Sequence, residues 1–179
     1  MDRGACSYRR YLEGDESAFE EIVKEFREPL TKFICGIIGD YQESEDIAID
    51  AFAYLASKRN YDFSVSLKTY LFMLGKSRAF DHLRCRRRHA LADLSTAEAY
   101  IAEGDVPENE FWKNERRSVV QRAISSLPEK MRAVVLLIYF ENMSYEDAAK
   151  VMKLSKKQID NLLYRAKSIL RTIIGEENI

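Results

Sequence analysis

Wound as a helix, residues 156–171 put Lys156, Lys157, Asp160, Asn161, Tyr164, Arg165, Lys167 and Arg171 opposite an apolar stripe of Ile159, Leu162, Leu163, Ala166, Ile169 and Leu170. Lysine and arginine can meet phosphates and guanine, and asparagine can pair with adenine, so this face suits a DNA major groove. A solvated surface helix in an ordinary bundle would show the same pattern. A second group interleaves aromatics with cations: Tyr61, Phe63, Tyr70, Phe72 and Phe80 among Lys68, Lys76, Arg78, Arg84, Arg86, Arg87 and Arg88. Cations hold a phosphate backbone. Aromatics and a loop can receive an unstacked base, and stacking stabilises by roughly 1–3 kcal/mol per base. Extruding a base costs a few kcal/mol, so such a pocket lowers the cost of starting a bubble. Alternatively the phenylalanines are core, which we expect of at least one of Phe72 and Phe80, and the arginines merely solubilise. Against the latter, Arg84, Arg86, Arg87 and Arg88 lie within five residues and repel one another without an anionic partner.

The elements that must position these groups can be read from caps and periodicity. Ser144 stands three residues before Asp147 and Ser155 three before Gln158, both capping-box spacings. Only Lys153-Leu154 separates the helices they open, so the two must cross sharply, as in a helix-turn-helix. Leu127-Pro128 opens a third helix with the stripe Met131, Val134, Val135, Ile138 and Tyr139. Val119, Val120, Ala123 and Ile124, with Trp112 before them, lead into this C-terminal module. Upstream, Asp15 can cap a helix through Ile38, kinked or restarted at Pro29 and stopped at Gly39. Ser44 begins the next, with Ile47, Ala48, Ala51, Phe52 and Leu55 inward and Glu43, Glu45, Asp46 and Asp50 outward. Residues 60–66 break the periodicity as a loop, and a helix runs from Leu67 or Lys68 through the arginine cluster.

The net charge of −1 argues against nucleic acid, but its distribution does not. Residues 51–90 hold nine Lys/Arg against Asp62 and Asp81, and residues 129–171 nine against five acidic. Between them, residues 91–115 set seven acidic residues against Lys113 alone. Two basic modules flank an acidic connector, which suits a basic nucleic-acid channel, masks the modules, or only solubilises. Scarce glycine and proline favour helices. No apolar run approaches membrane length and the N-terminus lacks a signal segment, so a soluble cytoplasmic protein is expected. Cys6, Cys35 and Cys85 are far apart, without metal-ligand spacing. There is no carboxylate–histidine cluster, phosphate loop or nucleophile elbow. No catalytic residue, metal or cofactor is expected.

The run LPEKMRAVVLLIYFENMSYEDAAKVMKLSKKQIDNLLYRAKSILR resembles region 4 of the sigma-70 family of transcription initiation factors. SEDIAIDAF is similar to region 2.2, with Ile49 where the family has glutamine, and SLKTYL with DHLRCRRR to regions 2.3 and 2.4. Tyr70 stands where tryptophan is common and Ser77 where asparagine is. The halves occur in the family's order, without room for region 1.1 or a full region 3, which resembles the extracytoplasmic-function type. The resemblance implies an all-α fold of two small helical domains, a region 2 bundle (12–90) and a region 4 helix-turn-helix (116–175), joined by the linker (91–115). It implies an initiation factor, not an enzyme, that carries core RNA polymerase to promoters. The implied partners are the polymerase β′ coiled coil and β flap, promoter DNA and an anti-sigma factor. Polymerase docking falls on Glu45, Asp46, Ile49 and Asp50. The −35 element falls to Ser155, Lys156, Lys157, Gln158, Asn161, Tyr164, Arg165 and Lys167. The −10 element falls to Asn60, Phe63, Ser64, Lys68, Lys76, Ser77, Arg84, Arg87 and Arg88. The rival is a stand-alone helix-turn-helix regulator with an N-terminal helical sensor domain, which would bind a palindromic operator as a dimer.

Overall fold

The computed structural model describes residues 2–94 and 115–177. The expected linker therefore lies almost wholly outside the described residues, as does Trp112. The described part is built from helices, with no strand among the described residues: α1 (Arg3–Leu12), α2 (Glu16–Ile38), α3 (Tyr41–Lys58), α4 (Leu67–Leu94), α5 (Glu115–Ser125), α6 (Glu129–Val135), α7 (Tyr145–Met152) and α8 (Lys156–Glu177). A π-helical turn, Leu136–Phe140, extends α6.

The first four helices pack around α2, whose Ile22, Phe26, Leu30, Phe33, Ile34 and Ile37 are all buried. Pro29 does not restart α2, which runs through it as one helix. Gly39 ends it in a left-handed conformation, φ 84°, donating its N–H to Cys35. Asp15 occupies the N-cap position, but its carboxylate accepts from Ser17 and Arg10 instead of a helix amide. Asp40 opens α3, accepting the N–H of Glu43 at 2.9 Å. Ser44, expected at that start, is buried one turn inside, and its hydroxyl donates back to the Asp40 carbonyl. α4 continues past residue 90, so residues 91–94 are helical where a linker was expected.

α1 was not legible in the sequence. Its Tyr8 is fully buried and donates to the Leu55 carbonyl at 3.2 Å. Asp2 caps α1 through the Gly4 N–H, and its other carboxylate oxygen accepts the N–H of Leu67, the first residue of α4, at 2.6 Å. One side chain thus caps two helices that lie far apart in sequence.

Helices α5–α8 form a second lobe on Leu127, Val134, Leu137, Ala148, Val151, Ile159, Leu163 and Ala166. The two lobes touch. α7 lies against α4, and α6 with its π-turn lies against α2. Their buried residues form one continuous cluster. The outward face of α8 nevertheless stays exposed.

Candidate nucleic-acid interface

The second capping box forms as the spacing predicts: Ser155 Oγ accepts the Gln158 N–H at 3.2 Å, and Gln158 Oε1 accepts the Ser155 N–H at 2.8 Å. Gln158 is thereby committed to positioning α8. At the first box Ser144 Oγ accepts the Asp147 N–H at 3.1 Å, but the Asp147 carboxylate reaches back to the hydroxyl instead of the backbone. Lys153 makes the turn in a left-handed conformation, φ 55°. Together these details set the crossing of α7 and α8.

On α8, Ile159, Leu163 and Ala166 are buried, while Lys157, Asn161, Tyr164 and Arg165 share an exposed stripe. Tyr164 is 76% exposed, the highest value among the exposed large hydrophobics. The flanking cations are engaged. Lys156 pairs with Glu146, whose carboxylate is held below its usual range by that bond. Lys167 sits 5.5 Å from the Tyr139 ring centre, and its hydrogen bond to that phenol raises its pKa.

The 59–66 loop is braced from below by aromatic packing. Tyr61 is buried, its ring 4.7 Å from Phe63 and 5.4 Å from Tyr8, and it donates to the Val65 carbonyl at 2.6 Å. Burial, with Asp2 and Asp62 nearby, lifts its pKa to about 12. Phe63 adopts φ 63°, a conformation β-carbon sterics disfavour, under the Arg9 guanidinium at 5.2 Å. Ser64 is exposed, its N–H tied to Asp62 at 3.0 Å. Asn60 joins loop to helix, donating to Tyr54 at 3.3 Å and accepting from Tyr70 at 2.7 Å.

α4 divides its candidates between two sides. At about 100° per residue, Tyr70, Ser77, Arg84 and Arg88 fall on one side, and Lys68, Lys76 and Arg87 on another. Of the first set, Ser77, Arg84 and Arg88 are exposed, and Tyr70 leads to the loop through Asn60. Arg84 pairs with Asp81 one turn away. The second set faces the other lobe. Lys68 Nζ lies 2.8 Å from the Glu141 carbonyl and 2.9 Å from its carboxylate. Arg87 pairs with Glu129. Burial, then the charges of Lys153 and Lys130, push the Lys76 pKa down. Phe72 is core, as expected of one of the two phenylalanines, and Phe80 is half-buried under Lys76.

On α3, Asp46, Ile49 and Asp50 form an exposed stripe, while half-buried Glu45 accepts from Arg27. Ile49 is 49% exposed, so the residue in the glutamine position does not pack into the core. Sequence reasoning missed Arg9, Tyr8 and Asp2, which brace the loop from an element that no motif announced. It also missed the partners Glu129 and Glu141 on the other lobe. Among the described residues no group of histidine, cysteine and carboxylate side chains could hold a metal, and no helix is long and apolar enough to cross a membrane.

The likeness to known proteins extends over both lobes. Residues 117–170 match the family model described as Sigma-70, region 4. RNA polymerase sigma-H factor of Pseudomonas aeruginosa is 30% identical over 171 residues, covering 90% of this chain and 88% of that protein. The ECF RNA polymerase sigma factor SigW of Bacillus subtilis is 24% identical over 173 residues, covering 91% and 92%. Among solved structures, the sigma factor RpoE of Bartonella quintana, crystallised with the anti-sigma factor NepR, superposes with TM-score 0.71 at 19% identity, covering 88% of this chain and 96% of that one. CnrH, solved with the cytosolic domain of CnrY, gives 0.72 at 20% identity, covering 98% and 97%. At such identities the structural likeness speaks for the fold.

Proposed function

We propose how initiation is divided within this chain, which belongs to the extracytoplasmic-function group of the sigma-70 family of RNA polymerase sigma factors. It is a promoter-specific initiation factor for core RNA polymerase. The stand-alone regulator is disfavoured because the relatives match both halves in order, not the helix-turn-helix alone. Residues 12–90 and 116–175 are the two working units, with α1 added to the first.

The exposed stripe of α8 reads the −35 element. Lys157, Asn161, Tyr164 and Arg165 make the base and phosphate contacts, while Ser155 and Gln158 set the helix's entry. The 59–66 loop and the open side of α4 read the −10 element, with Asn60, Phe63 and Ser64 around an extruded base and Ser77, Arg84 and Arg88 along the backbone. Asp46, Ile49 and Asp50 dock on the polymerase, and Arg27 limits what Glu45 can add. The observation that carries this reading is that two cation-bearing helices, one continuous with a braced aromatic loop, are both presented outward on a fold shared with sigma factors. The Bartonella quintana neighbour is bound by an anti-sigma factor, and we propose a partner of that class here.

In vitro transcription from fragmented genomic DNA, with core polymerase with and without this chain, tests the reading. Defined new RNA 5′ ends are expected only with it. Absence of any chain-dependent start would overturn the assignment.

A further inference from the structure

We propose that Arg9 of α1 is a base-stacking residue: the unpaired nucleobase taken up by the 59–66 loop enters between the Phe63 ring and the Arg9 guanidinium and is sandwiched by both. The inference rests on the reading above that this loop receives an extruded base, and it supplies the second face of the slot. A single ring covers one side of a base and leaves the other to water. A guanidinium is planar, always charged and weakly hydrated, so it can cover the second side as a ring would.

Consecutive residues of α1 hold Phe63, one from the core and one from solvent. Tyr8, fully buried, lies 6.1 Å from the Phe63 ring and backs it together with Tyr61 at 4.7 Å. Arg9, exposed, lies over the same ring at 5.2 Å. Phe63 itself is half-buried at φ 63°. A bulky residue persists in that conformation only where its surroundings enforce it, and such positions cluster at ligand sites. Arg9 is otherwise uncommitted. Arg10 is held by Asp15 and Glu21, and Arg59 lies over Tyr11 at 5.4 Å, but Arg9 makes no hydrogen bond or ion pair among the described residues. At 5.2 Å the guanidinium stands too close to the ring for a base about 3.4 Å thick to touch both, so Arg9 must lift by roughly 2 Å. An exposed side chain does this by changing rotamer, without moving α1. The exchange favours the base: one ring–cation contact is given up, and two stacked contacts, ring on base and base on cation, replace it. In the free chain Arg9 keeps Phe63 covered; with DNA it closes the slot behind the base.

The test uses core polymerase with the full chain on a fork template from a promoter located by 5′-end mapping. Its −35 segment is paired and its −10 non-template strand is single. Each −10 base is replaced in turn by an abasic residue, and the anisotropy of a fluorescein label reads binding. With the wild type, one abasic position should cost most. Arg9→Ala should lose about ten-fold on the intact strand, the share of one stacking face. It should lose nothing more when that position is abasic, because the two changes remove one contact. Arg9→Lys, which keeps the charge but not the plane, should behave as the alanine variant does. An Arg9→Ala cost that is the same on every template, abasic or not, overturns the proposal and leaves Arg9 a brace of the loop. Full recovery in Arg9→Lys overturns it too, because charge alone would then suffice. Phe63→Leu separates these failures from that of the underlying reading. If it couples to one base position and Arg9→Ala does not, only the Arg9 assignment falls. If neither couples to any position, the base-receiving role of the loop falls with it.

Discussion

The chain contains two long cation-bearing helices, both proposed above to contact one duplex, and they are built oppositely. α8 is shaped by its own lobe: a complete capping box at the start, a buried stripe of Ile159, Leu163 and Ala166, and an outward stripe whose Lys157, Asn161, Tyr164 and Arg165 have no side-chain partner among the described residues. α4 is shaped by everything around it. α1 caps it, the 59–66 loop stacks at its start, and the second lobe holds Lys68 and Arg87. A helix with free donors can read DNA on first encounter. One whose donors are engaged must exchange partners, so the steps that open DNA, assigned to α4, carry the cost of that exchange.

The contrast is broken most severely on α8. Arg165→Ala or Asn161→Ala should each cost about 1–3 kcal/mol of promoter discrimination if they contact base edges, roughly five- to 150-fold in binding. Footprinting with core polymerase on a promoter located by 5′-end mapping would read this. Gln158→Ala should cost less, about 1 kcal/mol of helix start, and weaken all promoter sequences alike. If Gln158→Ala changes which base is preferred, its side chain reads DNA and the capping assignment is incomplete.

Next come the four arginines of the cluster. Replacing Arg84, Arg86, Arg87 and Arg88 with alanine should weaken binding and lower the salt slope by close to one for each phosphate that is no longer neutralised. Arg87→Ala alone should do less than Arg84→Ala, because Glu129 of the second lobe holds it. Equal effects of Arg84→Ala and Arg87→Ala on the free chain would erase the distinction between the two sides of α4.

Local pattern made α8 legible in advance. Its cap, stripe and polar face all follow from the spacing of residues within about 20 positions, and each is where periodicity puts it. The inward side of α3 and the stop at Gly39 were legible for the same reason. What could not be read was non-local. Asp2 caps α4 from the other end of the lobe, Arg132 reaches carbonyls on α2, and Glu141 takes Lys68. No spacing rule links such positions. Asp15 and Ser44 show a milder form of the limit: both sit within a turn of a helix start, yet Ser17 and Arg10 compete for the first carboxylate, and Asp40 takes the capping role ahead of Ser44. Pro29 passes through α2 without ending it, where Phe26, Leu30, Phe33 and Ile34 on the same helix are buried.

The dependence of α4 on α1 gives a smaller effect. Asp2→Ala removes the shared cap, worth about 1 kcal/mol, while Asp2→Asn, with a single acceptor oxygen, should keep only one of its two bonds. Hydrogen exchange at Leu67 should quicken in the alanine variant. Opening of a fully paired promoter should slow, while transcription from a template already unpaired at −10 should not. Equal loss on both templates would make α1 a general stabiliser without a specific tie to the loop.

The smallest effect lies in Tyr61, under that same loop. Its pKa is raised to about 12, so the neutral phenol is the form the fold favours. A raised value means the stabilisation is complete below the ordinary tyrosine pKa near 10 and is lost as pH climbs through about 12. Tyr61→Phe keeps the ring against Tyr8 and Phe63 but gives up the bond to Val65. At neutral pH the variant should melt slightly earlier. Between pH 10 and 12 the wild type should lose its advantage, and the two melting curves should converge. A constant gap over that range would mean the phenol ionises as readily in the folded lobe as in the unfolded chain, and that the loop over it is open to water where the inward stripe of α8, by contrast, is buried.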